Sequence, residues 1–328
     1  MNRPVSGYYG KLPVSPEFLR LHAAGPELRE LDDWFELGVQ YAKAKAGSEW
    51  SSLVANADIW NFFFVPEGNG RLVCGAVFPS HDRAGRSFPF LTFLLLERRD
   101  LPPTPWLIPL RCGPFLVKTR QFLQQLRADL DWNVFRSHAE SLDGDIDIDR
   151  DASLEAGFED YLSQTTTKEF WSRMCGEANH AQADRLRQDR SVNRHLEGEQ
   201  SGEGAAWGRT LPLLKGHATE TYDLPFWLEL HARLLGVKKG TWPALFAFWT
   251  RAPSKVEPCA LLSFGRPSPH LTRFIVSPEV HDEAWSDWLP QPASPQGSVS
   301  SSVSNSSMQA ADEKSITLRQ YLDSCCGA

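Results

Sequence analysis

The segment from Phe88 to Leu96 constrains the fold of this chain more than any other part of the sequence. It is almost entirely apolar and carries apolar side chains on both faces of a strand. It is about half as long as the ~18 residues that a membrane-spanning helix needs. A strand with two apolar faces has to be covered by helices on both sides. We therefore expect a layered α/β fold in which this strand lies centrally in a sheet.

Hydrophobic periodicity predicts the elements around this strand. Residues Pro26 to Ala46 repeat apolar side chains at helical spacing, with proline in the first turn and Gly47 after the last. Two apolar runs joined by turn residues, Ile59–Val65 and Arg71–Phe78, predict a β-hairpin. Further helices are expected at 115–130, 154–175, 225–236 and 278–289, and further strands at 244–250 and 259–264. Strands and helices in this order predict a mixed or antiparallel sheet between helical layers.

The chain divides into one folded domain and a tail. We expect the domain at residues 1–289, interrupted by a polar and charge-dense insertion at 176–206 that is mobile. Residues 290–312 are rich in serine and proline and predict a disordered linker. A short C-terminal segment, 313–328, follows, in which Ile316 to Leu322 forms one amphipathic turn that is either a tethered docking segment or a frayed tail.

Composition excludes several classes of protein. Among 328 residues, 34 are Lys or Arg and 41 are Asp or Glu, so the formal charge is −7 and phosphate neutralisation does not drive binding. Twelve Trp and 19 Phe predict an aromatic core and aromatic interface pockets. The polar N-terminus has no signal-peptide core. We expect a cytoplasmic protein with no membrane insertion, no nucleic-acid partner and six reduced cysteines, since no CxxC pair occurs.

The densest polar cluster runs from Pro79 to Pro89, between two predicted strands. Ser80, His81 and Asp82 have the residue types of a nucleophilic triad. Adjacent side chains on one chain cannot relay a proton in the geometry that a triad requires, and no Gly-x-Ser-x-Gly turn is present. The sequence therefore does not predict nucleophilic catalysis here.

Two other interpretations of this loop remain open. In the structural one, Asp82 bonds the loop backbone or pairs with Arg83 or Arg86, and Gly85 adopts a positive φ. In the other, the two arginines beside an aspartate form a surface that grips a carboxylate or phosphate, with a protein partner favoured over a nucleotide.

No cofactor or metal site is predicted. The acidic run Asp143–Asp149 resembles a calcium loop, but Ile148 stands where the loop needs glycine and Leu154 where it needs glutamate. The glycine patterns that cradle dinucleotides and nucleoside triphosphates are missing, and the nine histidines form no recognised zinc pattern.

Several motifs occur together in an order that resembles a known family. They are Gly7-Tyr8-Tyr9-Gly10-Lys11-Leu12-Pro13, Pro16–Arg20, the helix with Trp34, Ile59-Trp60-Asn61-Phe62 and the loop Pro79–Pro89. This series resembles the TagF (ImpM) family, and a weaker likeness reaches residues 242–250. Pro16-Glu17 departs from the Gly-Asp of the family.

The resemblance implies a three-layer α-β-α sandwich and a function. TagF-like proteins are accessory components of the bacterial type VI secretion system. They act in the cytoplasm as post-translational negative regulators, or repressors, through the forkhead-associated (FHA) scaffold protein of that system. The resemblance carries over no catalytic role. A structural or assembly subunit of the apparatus is the first alternative, and a phosphate-directed enzyme using the Asp82, Arg83 and Arg86 loop is a weaker one.

The resemblance also suggests which residues take part in protein–protein interaction. Six residues are the hypothetical partner-binding set: Tyr8, Tyr9, Lys11, Asp82, Arg83 and Arg86. Nine others are expected to shape the motif: Gly7, Gly10, Pro13, Trp34, Trp60, Pro79, Gly85, Phe88 and Pro89.

Overall fold

The computed structural model describes most of the N-terminal half of the chain and separate parts of the C-terminal half. The described residues are 4–68, 70–101, 105–128, 131–142, 151–175, 207–214, 221–234, 236–237, 244–250, 257–265, 268–277, 286–287 and 316–324. The predicted insertion at 176–206, the predicted linker at 290–312 and the acidic run 143–149 lie outside these ranges.

One sheet of nine strands forms the middle layer. The strands are β1 (Val5–Gly10), β2 (Leu19–Leu21), β3 (Trp60–Val65), β4 (Leu72–Phe78), β5 (Phe90–Leu96), β6 (Trp207–Pro212), β7 (Leu245–Thr250), β8 (Cys259–Phe264) and β9 (Ser286–Asp287). Their order is β2-β1-β5-β4-β3-β7-β8-β6-β9. Neighbours are antiparallel except for β6 and β9, which are parallel. The sheet is therefore mixed.

Helices cover both faces of the sheet. The α-helices of the described residues are α1 (Pro26–Ala46), α2 (Trp50–Asn56), α3 (Ile108–Arg111), α4 (Gly113–Ala128), α5 (Trp132–Ser141), α6 (Asp151–Gln164), α7 (Thr167–Cys175), α8 (Asp223–Leu234), α9 (His270–Val276) and α10 (Leu318–Ser324). None of them is long and apolar enough to cross a lipid bilayer.

Two hydrophobic cores separate the layers. On one face, α1 and α9 pack on the sheet, while α3 to α8 and α10 pack on the other. Successive residues of one strand point into different cores: Phe62 of β3 lies in the core beneath α1 and α9, and Phe63 lies in the core on the opposite face. Strand β5 is buried along its whole length and lies between β1 and β4. The expected three-layer α/β fold is confirmed.

Two predicted elements differ from the structure. The helical stretch 154–175 is two helices, because Thr166 caps a new one: its hydroxyl accepts from the Glu169 N–H, and the Glu169 carboxylate accepts from the Thr166 N–H. The helix predicted at 278–289 is wrong where it is described, since Ser286–Asp287 forms β9 and pairs with β6. Backbone pairing with β6 overrides the local periodicity there.

Candidate functional site

The candidate site lies where the loop between β4 and β5 meets the segment after β1. Strands β1 and β5 are antiparallel, with Gly10 opposite Phe90. The end of β1 is therefore next to the start of β5. This pairing brings Lys11 to Phe18 against the loop from Pro79 to Pro89, and we call the two segments together the Asp82 loop pair.

Asp82 is the centre of this site. Its side chain is 0% exposed although the flanking residues of the loop are exposed, so the loop itself covers the carboxylate. One oxygen accepts hydrogen bonds from the backbone N–H groups of Ala84 and Arg86, both at 2.9 Å. The other oxygen accepts from Nε of Arg86 at 2.7 Å and lies 3.3 Å from Nζ of Lys11.

These contacts determine the ionisation of the carboxyl group. Burial alone raises the pKa of Asp82, but hydrogen bonds from Arg86 and Lys11 outweigh burial and lower this pKa to about 2. Asp82 is therefore an ion at neutral pH, and both of its oxygens are occupied by donors from the protein. It acts as the structural link of the loop pair.

The two arginines connect the loop to the other segment. Arg83 donates from Nη2 to the carbonyl oxygen of Val14 at 2.7 Å, and its backbone N–H bonds the carbonyl of Ser15. Arg86 donates from Nη2 to the carbonyl oxygen of Pro16 at 2.6 Å. The side chain of Arg86 is nevertheless 61% exposed. The guanidinium groups therefore bridge the loop pair and also face solvent.

An aromatic cluster lies beside the charged groups. The rings of Tyr9 and Phe18 stack at 5.4 Å, and Phe88 meets both rings edge-on. Nζ of Lys11 lies 4.8 Å from the centre of the Phe18 ring. The Tyr9 hydroxyl donates to Asp32 of α1 at 2.8 Å. Burial and this hydrogen bond raise the pKa of Tyr9 well above its usual value.

Tyr8 and Tyr9, adjacent in sequence, lie on opposite faces of β1. Tyr8 contacts Phe90 and Phe135 in the core beneath α4 and α5. Burial raises the pKa of Tyr8. The structure therefore groups Tyr9, Lys11, Asp82, Arg83 and Arg86 and places Tyr8 apart from them. Side-chain alternation along a strand produces this separation.

Glycines allow the close approach of backbones that the site requires. Gly10 has φ +131°, and a Cβ there would lie 2.0 Å from the carbonyl oxygen of Pro89. Gly85 has φ +78° in the turn of the loop, where its N–H donates to the carbonyl of Asp82. Gly7 is buried in β1, where a Cβ would meet the ring of Phe93.

The remaining motif residues hold the surrounding layers in place. The indole N–H of Trp34 donates to the carbonyl of Ser268, and that of Trp60 donates to the carbonyl of Ile275. Both bonds connect elements far apart in sequence. Pro79, Phe88 and Pro89 are buried at the ends of β4 and β5, and Pro13 is half-buried after β1.

Sequence reasoning did not include Phe18 or the carbonyls of residues 14–16 in the site. Phe18 stands in the Pro16–Arg20 element, which was recognised as a motif without a role. An aromatic residue directly after a charged one, seven residues beyond Lys11, was the available signal. The backbone carbonyls carry no sequence signal at all.

The residues of the loop that have triad-type side chains do not share one environment. Ser80 is buried and His81 is exposed, so the two side chains lie in different environments. The carboxylate of Asp82 is held by Lys11 and Arg86. Within the part of the chain that the structure describes, no group of three His, Cys, Asp or Glu side chains could hold a metal ion.

The N-terminal part of the chain, which contains this site, matches a known family model. A family model described as the TagF N-terminal domain, type VI secretion system-associated, matches residues 7–142 and so spans both segments of the loop pair. Among solved structures, the chain is similar to the crystal structure of PA0076 from Pseudomonas aeruginosa PAO1, at 15% identity and a TM-score of 0.48, over 85% of this chain and 96% of that one. Among curated proteins, no match is found. Residues 7–142 of the chain therefore match the TagF N-terminal domain, which is described as type VI secretion system-associated.

Proposed function

We propose that this protein is a non-enzymatic, cytoplasmic negative regulator of type VI secretion that binds the FHA scaffold protein of the system. The association with type VI secretion comes from the family. The repressor role and the scaffold partner come from the resemblance of the sequence motifs. The single structural observation that supports the proposal is the rigid Asp82 loop pair, with its exposed arginines.

Rigidity favours a binding role for this surface. Six hydrogen bonds and ion pairs made by the side chains of Asp82, Arg83 and Arg86 cross-link the loop internally or to the segment after β1. A surface already held in one conformation loses little entropy when a partner binds. Arginine and aromatic side chains supply most of the binding energy at protein interfaces. The loop pair offers both types side by side.

The same contacts argue against the enzyme alternative. A general base or nucleophile needs a free oxygen that can reach the substrate. Both oxygens of Asp82 are occupied by protein donors, and a pKa of about 2 makes the carboxylate a poor base at neutral pH. The arginine contacts to backbone carbonyls hold the loop pair together in a way that serves recognition of a protein surface.

A regulator of this kind can repress secretion by binding the scaffold and keeping it out of the assembly. A regulator that binds the free scaffold more tightly than the assembled scaffold shifts the population toward the free state. The shift depends on the difference between the two affinities, so the bound surface of the scaffold has to be one that assembly also uses.

The experiment uses Ala84, because its side chain is exposed and only its backbone N–H bonds Asp82. Ala84→Arg adds bulk to the surface and leaves every bond of the loop in place. Ala44→Arg on the exposed side of α1 is the matched control. Each tagged protein is recovered from its own bacterium, and the co-purified proteins are identified by mass spectrometry.

We expect the wild-type protein and Ala44→Arg to retain the FHA scaffold and Ala84→Arg to lose it. Equal recovery by all three proteins would exclude the loop pair as the contact surface. Recovery of no secretion component by the wild-type protein would contradict the regulator proposal itself.

A further inference from the structure

The C-terminal helix α10 is packed into its own domain although a long segment precedes it. Leu318, Tyr321 and Leu322 are 0%, 2% and 0% exposed and belong to the core that α6, α7 and α8 share. The 28 residues from Trp288 to Ser315 separate β9 from Ile316, which stands two residues before this helix. We call residues 316–324 the tail segment and its binding site the α6–α8 groove.

The tail segment enters the groove through backbone pairing. Thr317 and Thr166 form a β-bridge. The N–H of Thr167 donates to the carbonyl of Ile316, and the N–H of Leu318 donates to the carbonyl of Thr165, both at 2.9 Å. These bonds fix the register of the segment between the end of α6 and the start of α7.

Charged contacts make the fit specific. Arg319 forms ion pairs with Glu159 of α6 and with Glu229 of α8. Asp323 accepts a hydrogen bond from Nη1 of Arg233 at 3.0 Å. The groove therefore presents acidic groups to the start of the helix and a basic group to its end. The tail segment thus offers three apolar side chains, with a basic residue near the start of the helix and an acidic residue near its end. Such a pattern is typical of a peptide helix that binds in a groove.

The helix has only seven residues, which is too short to be stable alone in water. Its helical structure therefore depends on docking. Residues 288–315 are rich in serine and proline, and a chain of that composition and length is predicted to span about 30 Å on average. A segment that folds only when docked, on a tether of that reach, behaves as a ligand of its own domain.

We propose that the α6–α8 groove is a peptide-docking site that also accepts the tail segment of a second copy of this chain. In a dimer whose two copies exchange their tail segments, each groove makes the same contacts as in a monomer that binds its own tail. Forming the dimer therefore costs only the entropy lost when the two tethers join separate copies. Effective concentrations for such tethers are on the order of millimolar. At micromolar protein the groove is closed by its own tail, and a weakened tail opens it to a second copy.

The first test uses full-length Leu318→Asp/Leu322→Asp, whose groove is intact and whose tail cannot dock. A fluorescent peptide of residues 313–326 is titrated into this variant and into wild type, with a peptide carrying the same two substitutions as the control. We expect the unmodified peptide to bind the variant about tenfold or more tightly than wild type, and the control peptide to bind neither protein. Full-length Arg319→Glu/Asp323→Arg keeps the apolar anchors but reverses the charges of the tail, so its groove should also be free of its own tail. We call both variants open forms and expect this second one to bind the peptide as well.

The second test concerns the second copy directly. Glu159→Arg keeps the tail anchors but repels Arg319 from its own groove, and Glu159 is exposed enough to tolerate the change. Mixing this chain with Leu318→Asp/Leu322→Asp should give a 1:1 heterodimer in sedimentation, whereas each chain alone should be a monomer. Absence of peptide binding by both folded open forms would overturn the docking site, and peptide binding without a heterodimer would overturn exchange between copies.

Discussion

Replacing Asp82 by alanine tests how the loop pair is held together. The substitution leaves the ammonium of Lys11, whose side chain is 10% exposed, without its counter-ion. It also frees the backbone N–H groups of Ala84 and Arg86, but these lie among exposed residues and water can reach them. Breaking a buried ion pair costs about 3–5 kcal/mol, and hydration of the freed groups places Asp82→Ala near about 3 kcal/mol.

Thermal unfolding of the full chain followed by circular dichroism measures this loss. For a domain of this size, about 3 kcal/mol corresponds to a decrease of about 6 °C or more in Tm. Asp33→Ala, at an exposed position of α1, is the matched control and should leave Tm nearly unchanged. Adding Lys11→Met to Asp82→Ala should recover part of the loss, because the unpaired ammonium is removed as well.

The pH dependence gives an independent reading of the same contact. The pKa of Asp82 falls from its usual 3.8 to about 2 in the folded protein, so its ionised form stabilises the fold. This contribution is complete above about pH 4 and is lost as the pH falls through about 2. The stability difference between wild type and Asp82→Ala should shrink over that window. A Tm for Asp82→Ala within about 1 °C of wild type at pH 7 would refute the reasoning.

Two glycine substitutions test close packing elsewhere, with thermal unfolding as the measurement. Gly38→Ala places a Cβ 1.9 Å from Oγ1 of Thr272, between α1 and α9, and should cost about 1–3 kcal/mol, with partial rescue by Thr272→Ala. Gly10→Ala combines a φ of +131° with a Cβ 2.0 Å from the carbonyl oxygen of Pro89, and should destabilise by at least about 2 kcal/mol. Unchanged stability in either variant would contradict the packing described here.

Strong periodicity made much of the fold predictable. Helix α1 begins at Pro26 and ends at Ala46 as its apolar spacing and the following glycine indicate. The hairpin of β3 and β4 and the strands β7 and β8 agree with their predicted bounds to within one residue. In these elements, local propensity and burial favour the same structure.

Elements without such a pattern were not predicted. Strand β1 contains two glycines and no clear alternation, and its pairing with β2 and β5 supplies the hydrogen bonds that define it. Ser286–Asp287 becomes a strand for the same reason. Tertiary pairing decides these segments, and a single sequence does not show the partner strand.

The charged residues of the site were predictable, whereas Phe18, the separate place of Tyr8 and the bonds of the site were not. The order of motifs brought Lys11, Asp82, Arg83 and Arg86 into one hypothesis, and the structure groups them. The carbonyl acceptors of the arginines depend on how two distant loops meet. The tail segment, expected to dock or to fray, is packed against α6 of its own chain because three buried side chains and a β-bridge hold it there.

The most direct test of the central claim is the affinity between the purified full-length protein and the purified FHA scaffold protein of the same bacterium, measured by isothermal titration calorimetry. Wild type and Ala44→Arg should bind with equal affinity, and Ala84→Arg should bind at least about tenfold more weakly, as expected for bulk placed within an interface. All three proteins should melt at the same temperature, because the substituted side chains are exposed. Equal affinities for all three would contradict binding through the Asp82 loop pair, and no binding by wild type would contradict the proposed partner.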